Sequence, residues 1–213
     1  IGREFYTYDD LVAAKRITGS NVSFVIPRRN WTAGTVYDIY RHDYGEYTTG
    51  STSVRKTSNS GATTLFDSNF YVLSSARNVY KCLDNNGGAT STDEPTGVST
   101  SVITTTDSYK WKFMYTLSAA QQANFLSTDF MAVSPNSNPS SDQSNVMSAA
   151  VDGAIDIVKI KSAGSGGTAG TFTNIPIRGD GSGGLATVVV AGGLVTSVTV
   201  TTPGTGYTFG TIS

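Results

Sequence analysis

The sequence predicts an all-β protein: a β-sandwich-like main domain with one or two short helices, followed by a glycine-rich β-repeat domain. Three observations carry this. Only 15% of the 213 residues are charged. Ser, Thr, Gly and Asn supply the polarity instead, which suits short strands joined by many turns. Tyr109–Leu117 (YKWKFMYTL) alternates ring and polar residues over nine positions, the period of a half-buried strand. Finally, a glycine-turn unit recurs at an offset of 40 residues near the C-terminus.

Aromatic residues and glycines divide the chain. Beyond residue 152 the only rings are Phe172, Tyr207 and Phe209, whereas 14 of the 23 glycines lie from Gly153 onward. This predicts a β-rich domain over 1–133, a linker over 134–152 and a glycine-rich repeat domain over 153–213. The linker's first part, Ser134–Asn145 (SPNSNPSSDQSN), has two prolines and no apolar residue, so it is expected to pack no core.

In the first domain, Tyr109, Trp111, Phe113, Tyr115 and Leu117 are expected to face one way, as the core of a sheet. Phe70–Leu73 and Val79–Leu83 read as two more strands, with five residues between them for a hairpin or short connection. Two helices are expected. One is Ser118–Leu126, where Ser118 and Gln121 have capping-box spacing. The other runs from Asp10 to about Ile17, with Asp9 or Asp10 as cap and Gly19 as stop.

In the second domain Ile155–Thr168 aligns on Val195–Thr208 without gaps. Val158, Gly164, Gly166 and Thr168 match Val198, Gly204, Gly206 and Thr208. Each copy reads as a strand followed by a glycine turn, and Ile175–Val200 reads as further strands joined by glycine turns. The second copy runs out at Ser213 without a segment like the one that follows the first, so the sheet is expected to continue past it. A start at Ile1 rather than Met implies residues before it.

Composition argues against several functions. Lys and Arg total 15 and Asp and Glu 16, for a net charge of −1. That gives no basic excess for nucleic acid or an anionic membrane surface, and no apolar run is long enough to span a bilayer. The lone Cys82 excludes an intramolecular disulfide and reads as a small buried hydrophobe. His42 has no carboxylate cluster for a metal and no nucleophile elbow for a triad. Asp93 and Glu94 read as solvated. Gly179–Gly184 (GDGSGG) spells a dinucleotide fingerprint, but a strand-like LATVVV follows where a helix N-terminus is needed. The tripeptide Arg178-Gly179-Asp180 within the same stretch is a chance match. No catalytic residue, cofactor or metal ligand emerges, and the chain reads as a non-enzyme.

Phe24–Trp31 (FVIPRRNW) is the remaining motif. Pro27 removes a donor and holds Ile26 extended, so a strand ends there. Arg28 and Arg29 then stand at a corner beside Trp31, and Arg and Trp are residue types that anchor interfaces. Pro27, Arg28, Arg29 and Trp31 are therefore the candidate interface residues, at a structural corner or subunit contact rather than a phosphate site.

Three segments resemble one family. Val25–Trp31 (VIPRRNW), Val79–Asp84 (VYKCLD) and Asp107–Leu117 (DSYKWKFMYTL) are similar, in order and spacing, to the gene-eight-type baseplate wedge proteins of T-even-like contractile-tailed phages. The T-even pattern has Asp at Asn30 and Arg at Lys81, and VYDIYRHDY and CLDNNGGA look most like the marine cyanophage branch. The resemblance spans Asn21–Val133; the glycine-rich repeat has no clear counterpart. It implies a mostly-β homodimer without enzymatic activity, assembled in the host cytoplasm into the virion's tail baseplate. There it would bind other wedge proteins and contribute to tail contraction, with no nucleic acid, membrane or small-molecule substrate. The alternative reading is a tail-fibre or receptor- or glycan-binding β module, resting on the Ser/Thr/Gly-rich repeats and the aromatic strand.

Overall fold

A computed structural model describes residues 13–14, 16–41, 45–49, 52–56, 59–135 and 137–212. Its strands are β1 (Val25–Pro27), β2 (Gly45–Thr49), β3 (Thr52–Lys56), β4 (Tyr71–Leu73), β5 (Asn78–Asp84), β6 (Ile103–Thr104), β7 (Lys110–Thr116), β8 (Phe130–Ala132), β9 (Gly170–Pro176), β10 (Arg178–Gly179), β11 (Leu185–Ala191), β12 (Leu194–Thr202) and β13 (Gly210–Thr211). The helices are α1 (Ala119–Phe125) and α2 (Ser141–Ala149). All sheets are antiparallel, and the fold is all-β.

The main sheet has the order β4-β5-β7-β6. The expected hairpin is there: Tyr71, Val72 and Leu73 lie opposite Lys81, Tyr80 and Val79. Strand β7 and its two flanking residues bury every apolar side chain that the alternation marks: Tyr109, Trp111, Phe113, Tyr115 and Leu117. They do not all face one way, however. The register against β5 passes from Val79–Tyr115 to Tyr80–Phe113, so Met114 is an extra residue on β7. A bulge of one residue reverses the side-chain face. Tyr109, Trp111 and Phe113 therefore pack with Tyr37, Val72, Tyr80, Cys82 and Val146. Tyr115 and Leu117 join Tyr71, Leu73, Val79, Met131 and Ala132 in a second cluster, beneath β1 and β8. Sequestering each of these rings contributes about 1.5–3 kcal/mol.

Helix α1 begins as its sequence dictates: Ser118 Oγ accepts from the Gln121 amide, and the Gln121 side chain accepts from the Ser118 amide. The expected Asp10–Ile17 helix lies mostly outside the described residues; Arg16–Thr18 are irregular and Gly19–Asn21 form a single 3-10 turn. The expected linker over 134–152 is a correction. Its Ser140 caps α2, and Val146 and Gln143 of α2 are buried, Val146 against the Trp111 cluster. One apolar side chain, one buried amide bonded to Ser134 and a cap are enough to dock a nine-residue helix that composition alone reads as a spacer.

Beyond α2 stands a three-stranded sheet, β12-β11-β9, with β10 and β13 paired beside it. Its small core is Ile177, Ala186 and Tyr207, flanked by Ile155, Val158, Val198, Val200 and Ile212. The second repeat copy is β12, as expected. The first is not a strand: residues 155–163 form no ladder, and are tied by one main-chain bond at each end, to Val195 in β12 and to Pro203 just past it.

Candidate functional site

The Pro27–Trp31 corner is stitched into its own chain. The Leu73 amide donates to Arg29 O at 2.7 Å, and the Trp31 amide donates to Leu73 O at 2.9 Å. Pro27, which has no amide to give, offers its carbonyl to the Tyr71 hydroxyl at 2.7 Å. Arg28 Nε donates to Asn30 Oδ1 at 2.9 Å and its Nη1 to Ser127 O at 2.7 Å. Arg29 donates to the Asn69 side chain and to the carbonyls of Phe66 and Asp67 (3.2 and 3.1 Å), with its guanidinium 5.6 Å from the Tyr71 ring centre. Trp31 is half-buried against the Trp111 cluster, and its Nε1 donates to Ser91 Oγ at 3.1 Å.

Both arginines thus satisfy carbonyls of loops 66–69 and 127–129. A guanidinium committed to several backbone oxygens is a staple that holds loops at fixed geometry. The corner is structural, and what it leaves exposed beside it is apolar: Phe24 (84% exposed), Val25 and Phe130. Phe130 lies opposite Pro27 in the β1–β8 ladder, and the Val133 amide donates to Phe24 O.

The other motifs resolve into structural roles. Asp180 accepts from the amides of Thr208 and Phe209 at 3.0 and 3.2 Å and from the Thr208 hydroxyl, and these bonds hold its carboxyl down at about 2. It pins the β10–β13 corner and is not a free adhesion carboxylate. The GDGSGG stretch wraps Tyr207, whose hydroxyl accepts from the Gly184 amide at 3.1 Å and donates to Ile177 O at 2.9 Å. Strand β11 follows it, as the sequence predicts. Asp93 and Glu94, expected to be solvated, instead accept from Thr106 and Ser75 and tie loops together. Burial pushes the Cys82 thiol far up, away from the thiolate. The β7 rings are buried and offer no platform for sugars. His42 lies outside the described residues. Among the described residues, no group of three or more His, Cys, Asp and Glu side chains is placed to hold a metal. Nor is any helix among them long and apolar enough to cross a membrane.

Two features escape the sequence. One is Asp38, fully buried, whose carboxylate accepts from Ser60 N and Oγ, Ser68 Oγ and Asn69 N at 2.6–3.1 Å. Burial alone would raise its pKa; the four donors outweigh that and lower it. The other is a groove of about 1090 Å³ between residues 154–164 and the second sheet. Phe172, Ile175, Val188, Val195, Val198 and Phe209 line it, together with Tyr40. Neither has a local signature, because each depends on chain segments distant in sequence.

Comparison with known proteins finds no family model, no curated protein and no solved structure that matches the chain.

Proposed function

We propose that this chain is a structural subunit of a phage tail baseplate wedge that acts by protein–protein assembly, pairing with a second copy of itself and with other wedge proteins. What supports the reading is the resemblance of three motifs, in order, to the wedge family, together with the meeting of those three motifs in one core. Trp31 of the first packs against the cluster that holds Cys82 of the second and Trp111 of the third. Among the described residues, the side chains of Arg28, Arg29, Asp38, Asp93, Glu94, Asp107 and Asp180 all hold loops. The exposed apolar side chains Phe24, Val25 and Phe130 supply a contact surface beside the stapled corner.

Location tests the reading. Antibodies raised separately against 1–133 and 153–213 are applied to intact particles and to isolated baseplates of the phage that encodes the chain. Labelling of 1–133 on isolated baseplates, and not on closed particles, is the expected result. Labelling of both regions at fibre tips on intact particles would replace the wedge with a receptor-binding module.

A further inference from the structure

We propose that residues 155–163 form a strap that closes onto the free edge of β12 as a fourth strand, and that the Lys159–Asp84 ion pair holds it open. The strap is already tied in antiparallel register. The Ile155 amide donates to Pro203 O at 3.0 Å, and the Val195 amide donates to Ala163 O at 2.9 Å. Eight steps separate the tie points on the strap, and eight separate Val195 in β12 from Pro203 just past its end, so the residues between can be set one to one.

The pairing this register dictates is chemically consistent. Val158 falls opposite Val200 and Ile160 opposite Val198, on the apolar side where Val198 and Val200 already flank the Tyr207 core. Lys159 and Lys161 fall opposite Thr199 and Ser197, both exposed. Ile157, opposite Thr201, is the one mismatch. The match covers 197–200, the regular stretch between the two register irregularities of the β11–β12 ladder; Thr201, opposite Ile157, is itself the irregular residue. A period-two pattern that agrees in face with its neighbour is what specifies a strand register.

The edge itself calls for a partner. Leu194–Thr202 contains no charge, proline or glycine, the usual guards of an open edge. The opposite edge of the sheet is guarded: β9 carries Asn174 at a φ of 56° and ends at Pro176. Between its tie points the strap makes no main-chain hydrogen bond among the described residues, and Ile160 stands 40% exposed. What holds it away is Lys159, whose ammonium pairs with Asp84 at the end of β5 in the main domain. Closure swings Lys159 toward Thr199 and breaks that pair, so the strap's position reports on the contact between the two domains.

The test is a cross-strand cysteine pair, Ile160→Cys with Val198→Cys. Directly opposed residues of an antiparallel pair lie within disulfide reach, and buried Cys82 does not compete. Val188→Cys with Val198→Cys, across the standing ladder, is the control. Under mild oxidation the strap pair should crosslink, and adding Asp84→Asn should speed it about two- to fivefold, the worth of one exposed ion pair. A strap pair that stays reduced while the control crosslinks overturns closure; a rate indifferent to Asp84→Asn overturns the latch. Hydrogen exchange on the unmodified chain gives an independent reading. Protection of the 157, 159 and 161 amides, which this register turns toward β12, supports closure, and their exchange at the rate of free peptide overturns it.

Discussion

Asp38 does at the scale of one residue what a metal or a disulfide does in other small domains: it gathers separate loop segments around a single group. Ser60, Ser68 and Asn69 all donate to it. Asp38→Asn would place an amide N–H where Oδ2 now accepts from three donors, leaving buried donors facing each other. The expected cost is about 1–3 kcal/mol, read from urea unfolding at neutral pH. Asp107 is a second hub, accepting from Ser91 Oγ, the amides of Thr92, Asp93 and Tyr109, and Thr105 Oγ1. Its carboxyl sits at about 2; desolvation would raise it, and these donors override that. A carboxyl whose folded pKa lies below its unfolded value of about 3.9 stabilises the fold above that unfolded value. The stabilisation is lost as pH falls through the folded one. Unfolding midpoints should therefore drop between about pH 4 and pH 2. Asp107→Asn should lower stability at neutral pH and flatten that acid limb; an unchanged limb would mean other carboxylates set it.

At the scale of elements, the repeat separates what pattern reveals from what packing decides. Gly164 and Gly204 are matched in sequence and share the left-handed conformation, at φ of 71° and 66°. The pattern is therefore faithful to backbone shape. It is blind to surroundings: a Cβ on Gly164 would meet nothing within 4 Å, whereas one on Gly204 would lie 2.5 Å from Ser182 O and 2.6 Å from Gly184 N. Gly164→Ala should cost about 1 kcal/mol, the conformational term alone. Gly204→Ala should cost more by about 2 kcal/mol or beyond, because backbone must move. Thermal melts of the two variants check the difference, and equal melts would refute it. The same division runs through the main domain. Strand β7 and the Ser118 cap are local periodicities and were legible. The Met114 bulge was not, since it exists only as a mismatch in length between two strands 30 residues apart. Helix α2 was hidden because a single residue, Val146, secures it. Val146→Ala should cost about 1–2 kcal/mol, where a true linker would feel nothing.

For the whole molecule, the proposed function turns on which surface would meet another chain. The arginine corner was legible as an arrangement of residue types, yet its cations turn inward. Sequence shows that Arg28 and Arg29 share a corner, but only tertiary structure shows that loops 66–69 and 127–129 consume them. The exposed apolar side chains Val22, Phe24, Val25 and Phe130 cluster instead around β1 and β8. Singly exposed apolar residues are ordinary; Val25 and Phe130, on one face of the ladder, with Phe24 beside them make this ribbon the first surface to test. If the chain pairs with itself through this face, Phe24→Ser with Phe130→Ser should convert a dimer to a monomer in sedimentation velocity at micromolar concentration. The thermal unfolding should stay close to that of the parent, because neither ring contributes to the buried clusters. Arg29→Met should behave in the opposite way. It lowers stability by about 1 kcal/mol, through the part-buried Asn69 oxygen it strands and the loop it releases, and shifts association only as far as the fold is lost. A parent chain already monomeric under these conditions would remove the homodimer from the proposed function. A double variant that remains dimeric would move the interface away from β1 and β8.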